Sequence, residues 1–81
     1  MSRNEIIQDL NEILEVEFEV PPDLLVPESL LGEDLELDSL DAVDLIVAIE
    51  KKFGCRIEEE KARQMKALKD IYDAIDVELA A

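Results

Sequence analysis

Ser39 is the side chain of this sequence best placed to do chemistry, because it follows Asp38 directly at the predicted start of a helix. The amide donors and the dipole of a helix N-terminus favour an attached anion, so a phosphate on this serine would be stabilised. A serine at a helix start is nevertheless most often only a cap. From the residues alone, the cap interpretation of Ser39 comes first.

The chain offers few other catalytic or metal-binding groups. It contains no histidine, and no lysine lies near Ser39 in sequence to act as a base. The single cysteine, Cys55, excludes an internal disulfide and leaves no zinc-type ligand set. The carboxylates of Asp34, Glu36 and Asp38 lack the glycine of a calcium-binding EF-hand loop. The sequence therefore predicts no enzymatic activity and no specific metal site, beyond weak and nonspecific binding of divalent cations.

The acidic charge lies entirely in the first fifty residues. Residues 1–50 hold fifteen acids against the single base Arg3, residues 51–81 hold seven of each, and the formal net charge is −14. Such a field repels nucleic acid and anionic membranes and attracts basic protein surfaces. We expect basic protein partners and no binding of nucleic acid.

Length and composition predict one small folded domain covering residues 1–81. The chain is 48% apolar, which is ordinary for a folded domain. The longest uninterrupted apolar run, Leu45 to Ile49, is far shorter than a membrane span, and the N-terminus has no signal-peptide pattern. These features predict a cytoplasmic monomer that does not insert into membranes.

Capping signals and apolar spacing predict an all-α fold, a small bundle of three main helices plus one short helix. Ser2 and Glu5 have the spacing of a capping box, the Asp38 side chain can cap the helix that follows it, and Phe53-Gly54 is a helix stop. The predicted helices run from about Arg3 to Val16, Ser39 to Phe53, Glu59 to Gln64 and Ala67 to Leu79. A long loop with three prolines separates the first two. We expect its apolar side chains to pin it to the core, namely Leu24, Leu25, Val26, Leu30 and Leu31.

The helix that begins at Ser39 has two apolar faces. At about 100° per residue, one arc gathers Ala42, Leu45, Ile46, Ile49 and Phe53, and we expect this face to pack on the first and last helices. A second arc gathers Leu40, Val43 and Val47 between Glu50 on one side and Asp41 and Asp44 on the other. This second strip is either a docking patch or a surface covered by the long loop or the short helix.

The segment Glu33-Asp-Leu-Glu-Leu-Asp-Ser-Leu-Asp-Ala-Val-Asp-Leu45 resembles the phosphopantetheine attachment site of bacterial acyl carrier proteins. The order and spacing of the predicted helices are similar to that family over essentially the whole chain. The resemblance implies that Ser39 carries a covalent 4′-phosphopantetheine arm derived from coenzyme A. The thiol of that arm would carry acyl groups as thioesters, for enzymes of fatty-acid, lipid or polyketide-type synthesis.

The resemblance also implies roles for other residues. A phosphopantetheinyl transferase would modify Ser39, and acyl-transfer and synthase enzymes would present basic patches to the second helix. The recognition residues would be Asp38, Leu40, Asp41, Val43, Asp44, Val47 and Glu50. The acyl chain would be sheltered against Leu45, Ile46 and Ile49.

Three departures from the family pattern suggest a specialised carrier. Glu36 replaces a glycine often found three residues before the serine, Lys51 and Lys52 interrupt the acidic run after Glu50, and the loop is unusually rich in proline. Two alternatives stay open at this point. One is a carrier of aminoacyl or peptidyl groups, and the other is a non-covalent acidic interaction module in which Ser39 is a cap or a phosphorylation site.

Overall fold

The fold is taken from a computed structural model that describes residues 1–80. The first helix, α1, spans Arg3–Glu17 and begins at the predicted capping box, in which Ser2 Oγ accepts from the Glu5 amide and Glu5 Oε1 accepts from the Ser2 amide. Its Ile6, Leu10, Ile13 and Leu14 are buried at helical spacing. The pattern of apolar residues therefore predicts the buried face of α1 correctly.

Three further helices follow the long loop. They are α2 over Ser39–Phe53, α3 over Glu59–Arg63 and α4 over Leu68–Ala80, and a 3-10 turn lies within the loop at Pro22–Leu24. Gly54 ends α2 in the left-handed conformation with φ of 69°, which glycine adopts without strain. Within residues 1–80 the structure has no β-strand beyond one isolated bridge, so the predicted all-α bundle of three main helices and one short helix is confirmed.

The core lies between α1, α2 and α4. Its fully buried members include Ile6, Leu14, Ile49, Tyr72 and Ile75. Helix α1 packs on both α4 and α2, and the short helix α3 also packs on α2. The buried side chains of α2 belong to the same cluster as those of α1 and α4, as the sequence predicted. Leu45, Ile49 and Phe53 of α2 are buried, whereas Ala42 and Ile46 are only half-buried.

The residues that hold the loop to the core are partly those predicted. Leu24, Leu25 and Leu31 pack against the core as expected. Val26 and Leu30, however, are exposed by 44% and 36%, so the prediction was wrong for these two. The backbone of Leu30 forms an isolated bridge with Ala67, the residue before α4. The most deeply buried loop side chains are those of Val20 and Leu35.

Polar contacts join the two ends of the chain. Arg3 on α1 pairs with Asp73 at 2.7 Å and with Asp76 at 3.4 Å on α4, and its guanidinium lies 5.6 Å from the centre of the Tyr72 ring. The Tyr72 hydroxyl donates to Asn11 Oδ1 on α1. Burial raises the pKa of Tyr72, while the Asn11 hydrogen bond and the Arg3 charge act in the opposite direction. No helix within residues 1–80 is long and apolar enough to cross a membrane.

Candidate functional site

Asp38, not Ser39, is the residue that caps α2. Asp38 Oδ1 accepts from the amides of Leu40 and Asp41, both at 2.9 Å, and the Asp38 amide donates to Asp41 Oδ2 at 3.2 Å. This is a complete capping box. The interpretation of Ser39 as a cap was therefore wrong, whereas the prediction that Asp38 caps the helix is confirmed.

Ser39 occupies the first position of α2 with its side chain exposed. Its hydroxyl makes no hydrogen bond to any other group within residues 1–80, in contrast to Ser2, which caps α1, and Ser29, which donates to the Leu24 carbonyl at 2.6 Å. The positive end of the helix dipole lies at this position and favours an attached anion. Ser39 is thus available for covalent attachment of a phosphate-bearing group.

A cavity of about 280 Å³ leads from Ser39 towards the interior. Asp38 and Ser39 lie at the solvent-exposed end of the cavity, and the buried Ile49, Ile57 and Ile71 lie at its inner end. Leu45 and Ile46 also line it, so the structure brings together all three residues expected to contact an acyl chain. The volume is at the small end of the range for ligand pockets, about 300–1,000 Å³. An apolar cavity that begins at an exposed serine suits a group that carries apolar cargo.

The second apolar strip of α2 faces solvent. Leu40 is 75% exposed, Val43 46% and Val47 45%, so neither the long loop nor α3 covers it within the described residues. Of the carboxylates expected to recognise partners, Asp38, Asp44 and Glu50 are exposed and Asp41 is half-buried. The strip therefore has an apolar centre and a charged rim, which is the composition of a docking patch.

Sequence reasoning missed an extension of this acidic rim. A groove beside α2 is lined by Glu17, Glu19 and Glu36 together with Asp41, Asp44 and Lys51. The three glutamates come from the end of α1 and from the loop, and only the fold brings them next to α2. Glu19 and Glu36 both have a left-handed backbone with φ of 56°. Glu36 thus adopts the conformation that glycine tolerates best, at the position where the resemblance leads one to expect glycine.

Lys51 and Lys52 are exposed in the last turn of α2, and neither forms an ion pair with another residue of the described part of the chain. Cations at this end of a helix are favourable to its dipole. No group of three or more histidine, cysteine, aspartate or glutamate side chains is placed to hold a metal ion within residues 1–80. Cys55 is half-buried, and burial together with the nearby Glu78 raises the pKa of its thiol.

Comparison with known proteins decides the family. A family model described as the phosphopantetheine attachment site matches residues 4–75. The chain belongs to the phosphopantetheine-binding carrier family. Within this carrier family, the acyl carrier protein of Thermosynechococcus vestitus is 40% identical over 81 residues, 100% of both chains. That of Coprothermobacter proteolyticus is 40% identical over 79 residues, which are 98% of this chain and 96% of that one.

A solved structure agrees with these sequence matches. The crystal structure of the acyl carrier protein from Thermotoga maritima matches this carrier with a TM-score of 0.84 and 29% sequence identity, over 99% of this chain and 93% of that chain. The carrier family implies a covalently bound 4′-phosphopantetheine and an acyl carrier role. The resemblance noted from the segment around Ser39 is confirmed, and family membership favours a covalent carrier over a non-covalent interaction module.

Proposed function

We propose that the 4′-phosphopantetheine arm of this carrier is attached to Ser39 Oγ. The assignment rests on a difference among the three serines of the chain. They are the only candidates of this kind, because the chain has no threonine. Ser2 and Ser29 use their hydroxyls in structural hydrogen bonds, and Ser29 is buried. Ser39 alone is exposed at a helix N-terminus and opens onto an apolar cavity.

The chain supplies a nucleophile but no base to activate it. It contains no histidine, and the nearest carboxylate, that of Asp38, is engaged with two backbone amides. A phosphopantetheinyl transferase must therefore remove the Ser39 proton as the serine oxygen bonds to the phosphorus that bears pantetheine. The phosphoanhydride of coenzyme A breaks in the same step, and adenosine 3′,5′-bisphosphate leaves. Once attached, the arm supplies a thiol that holds acyl groups as thioesters. The carrier has no catalytic role of its own in this proposal.

The cavity is the proposed shelter for the acyl chain. Leu45, Ile46 and Ile49 of α2 would contact it from one side, and Ile57 and Met65 from the side of α3. Removing apolar surface from water favours entry of the chain, at about 25 cal/mol per Å². The shelter would also limit access of water to the thioester.

The exposed strip of α2 is the proposed docking surface for the transferase and for acyl-transfer and synthase enzymes. Leu40, Val43 and Val47 form its apolar centre, and its rim consists of Asp38, Asp41, Asp44, Glu50 and the groove residues Glu17, Glu19 and Glu36. The net charge of −14 favours partners that present basic patches. Such steering raises association rates and depends strongly on salt.

The pathway we propose is fatty-acid, lipid or polyketide-type synthesis in the cytoplasm. Lys51 and Lys52, with the proline-rich loop, support a specialised pathway with its own enzymes, and whether the two lysines change partner choice is open to test. The single-domain extent, the monomeric state and the lack of binding to nucleic acid stay predictions. An aminoacyl or peptidyl carrier would also use Ser39, but the acyl carrier proteins among the relatives favour acyl cargo.

The attachment is tested by intact mass before and after incubation with coenzyme A and a broad-specificity phosphopantetheinyl transferase. The parent is expected to gain one arm and Ser39→Ala none. Ser2→Asp is the matched control, because aspartate preserves the cap of α1 and leaves Ser39 in place. Modification of the folded Ser39→Ala variant would contradict the assignment.

The docking surface is tested separately by charge reversal. Asp44→Lys is the suitable variant, because Asp44 is exposed and, unlike Asp41, does not take part in the capping box. We expect a several-fold loss in the rate of arm attachment at low salt, shrinking at high salt. Glu15→Lys makes the same charge change on an exposed position of α1 and serves as the control. Equal losses in both variants would show that overall charge, and not this surface, controls docking.

A further inference from the structure

The cavity beside Ser39 has a single cation among its lining residues. Apart from apolar residues and Gly32, it is lined by Asp38, Ser39 and Arg63, the last residue of α3. Arg63 Nη2 lies 2.6 Å from Glu59 Oε1 one turn earlier, and the two side chains are 76% and 61% exposed. An exposed pair of this kind contributes little stability and exchanges readily with other partners.

A phosphate attached at Ser39 finds few unpaired amide donors at the start of α2. The Asp38 side chain already accepts from the amides of Leu40 and Asp41, and the Ala42 amide donates to the Asp38 carbonyl at 3.0 Å. Of the amides that hold phosphate at other helix N-termini, only that of Ser39 itself has no partner within residues 1–80. The phosphodiester also adds a negative charge beside the Asp38 carboxylate, in a chain whose net charge is already −14.

We propose that Arg63 is a positioning residue for the arm, and that its guanidinium exchanges Glu59 for the phosphate attached to Ser39. The proposal rests on attachment at Ser39. A planar guanidinium can donate two parallel hydrogen bonds to phosphate oxygens, which a lysine cannot. The contact joins α3 to the start of α2 across the rim of the cavity. It therefore fixes the arm where its cargo reaches the apolar interior.

The test compares the apo and arm-bearing forms by NMR of arginine side chains, after mass spectrometry has shown that the arm is attached. The chain has three arginines, Arg3, Arg56 and Arg63. The resonance that is missing from the spectrum of Arg63→Gln belongs to Arg63. We expect the Nε–Hε resonance of Arg63 to shift on attachment, while those of Arg3 and Arg56 stay in place. The thermal midpoint of the parent should rise on attachment, and this rise should be lost in Arg63→Gln.

Two variants separate a phosphate contact from a merely structural role. Lys61→Gln removes the same charge from α3, but Lys61 does not line this cavity and pairs with Glu78 at 3.9 Å. Lys61→Gln should retain the full rise in thermal midpoint on arm attachment. Glu59→Gln breaks the ion pair and leaves Arg63 free, so its rise should equal or exceed that of the parent. If Arg63 acted only through its pair with Glu59, the Glu59→Gln and Arg63→Gln variants would behave alike.

The two proposals fail in distinguishable ways. No arm on the folded parent would overturn attachment at Ser39 and the Arg63 contact together. A parent that bears the arm while its Arg63 resonance stays unchanged would overturn the Arg63 contact alone. If Lys61→Gln and Arg63→Gln lost the rise in thermal midpoint equally, the Arg63 contact would also be overturned, because the rise would then depend only on the net charge of α3.

Discussion

Replacing Glu36 with glycine should stabilise the protein, although the change removes a side chain. Glu36 is exposed and has a φ of 56°, in the left-handed region that side chains other than glycine rarely adopt. That conformation costs a non-glycine residue about 1–2 kcal/mol. Glycine relieves this strain but adds about 0.4–1 kcal/mol of conformational entropy to the unfolded chain.

Taking the middle of each range, the net expected gain in the free energy of unfolding is about 0.8 kcal/mol. For a domain of this size, that gain corresponds to a rise of roughly 3–6 °C in the thermal midpoint. Glu36 also lies in an acidic groove with Glu17, Glu19, Asp41 and Asp44, so part of any gain could come from relief of charge repulsion. The charge effect must therefore be measured separately.

Urea and thermal unfolding of three variants make this separation. Glu36→Gln removes the charge and keeps the strained backbone, so it should change stability by less than about 0.5 kcal/mol. Glu33→Gly introduces glycine at an exposed loop position without a positive φ, and it should cost about 0.4–1 kcal/mol. If Glu36→Gly destabilised the chain as much as Glu33→Gly does, the strain argument would be refuted.

Three further predictions concern the cap of α4, the cavity and the docking strip. Asp70 accepts from the Ala67 and Lys66 amides, and these hydrogen bonds lower the pKa of its carboxyl from the ordinary aspartate value. Asp70→Ala should therefore cost about 1 kcal/mol at pH 7. This stabilisation is lost as the pH falls through the lowered pKa, so urea unfolding should show a smaller difference from the parent at pH 3 and below. Ala42→Leu should narrow the cavity without preventing arm attachment, and the acyl thioester should then be cleaved faster by hydroxylamine than in the parent. Leu40→Asp should leave the urea midpoint nearly unchanged, because Leu40 is 75% exposed, yet weaken binding of a partner enzyme in a titration by roughly fivefold or more.

The sequence was most informative where a local signal controls the structure. The capping box at Ser2, the cap at Asp38 and the stop at Gly54 marked helix ends to within about one residue, because capping acts over a few neighbouring residues. The exposed strip of α2 was also visible as a second apolar arc. Its exposure could not be decided in advance, because this depends on where the loop and α3 lie.

Features that depend on contacts between distant segments of the chain could not be predicted. The bridge between Leu30 and Ala67 pairs distant segments and has no local signature in the sequence. The positive φ of Glu19 and Glu36 is imposed by the fold against the preference of glutamate. Arg63 reaches the rim of the Ser39 cavity only because α3 packs on α2.

The central claim, attachment of the arm to Ser39, is tested most directly by locating the modification in the arm-bearing protein. Cleavage after Glu33 and Glu36 places Ser29 and Ser39 in different peptides, which tandem mass spectrometry can fragment. We predict that the arm is found on the peptide that begins at Leu37, with fragment ions that place it on Ser39. An arm on Ser2 or Ser29, or no arm on a folded chain after incubation with several transferases, would contradict the assignment.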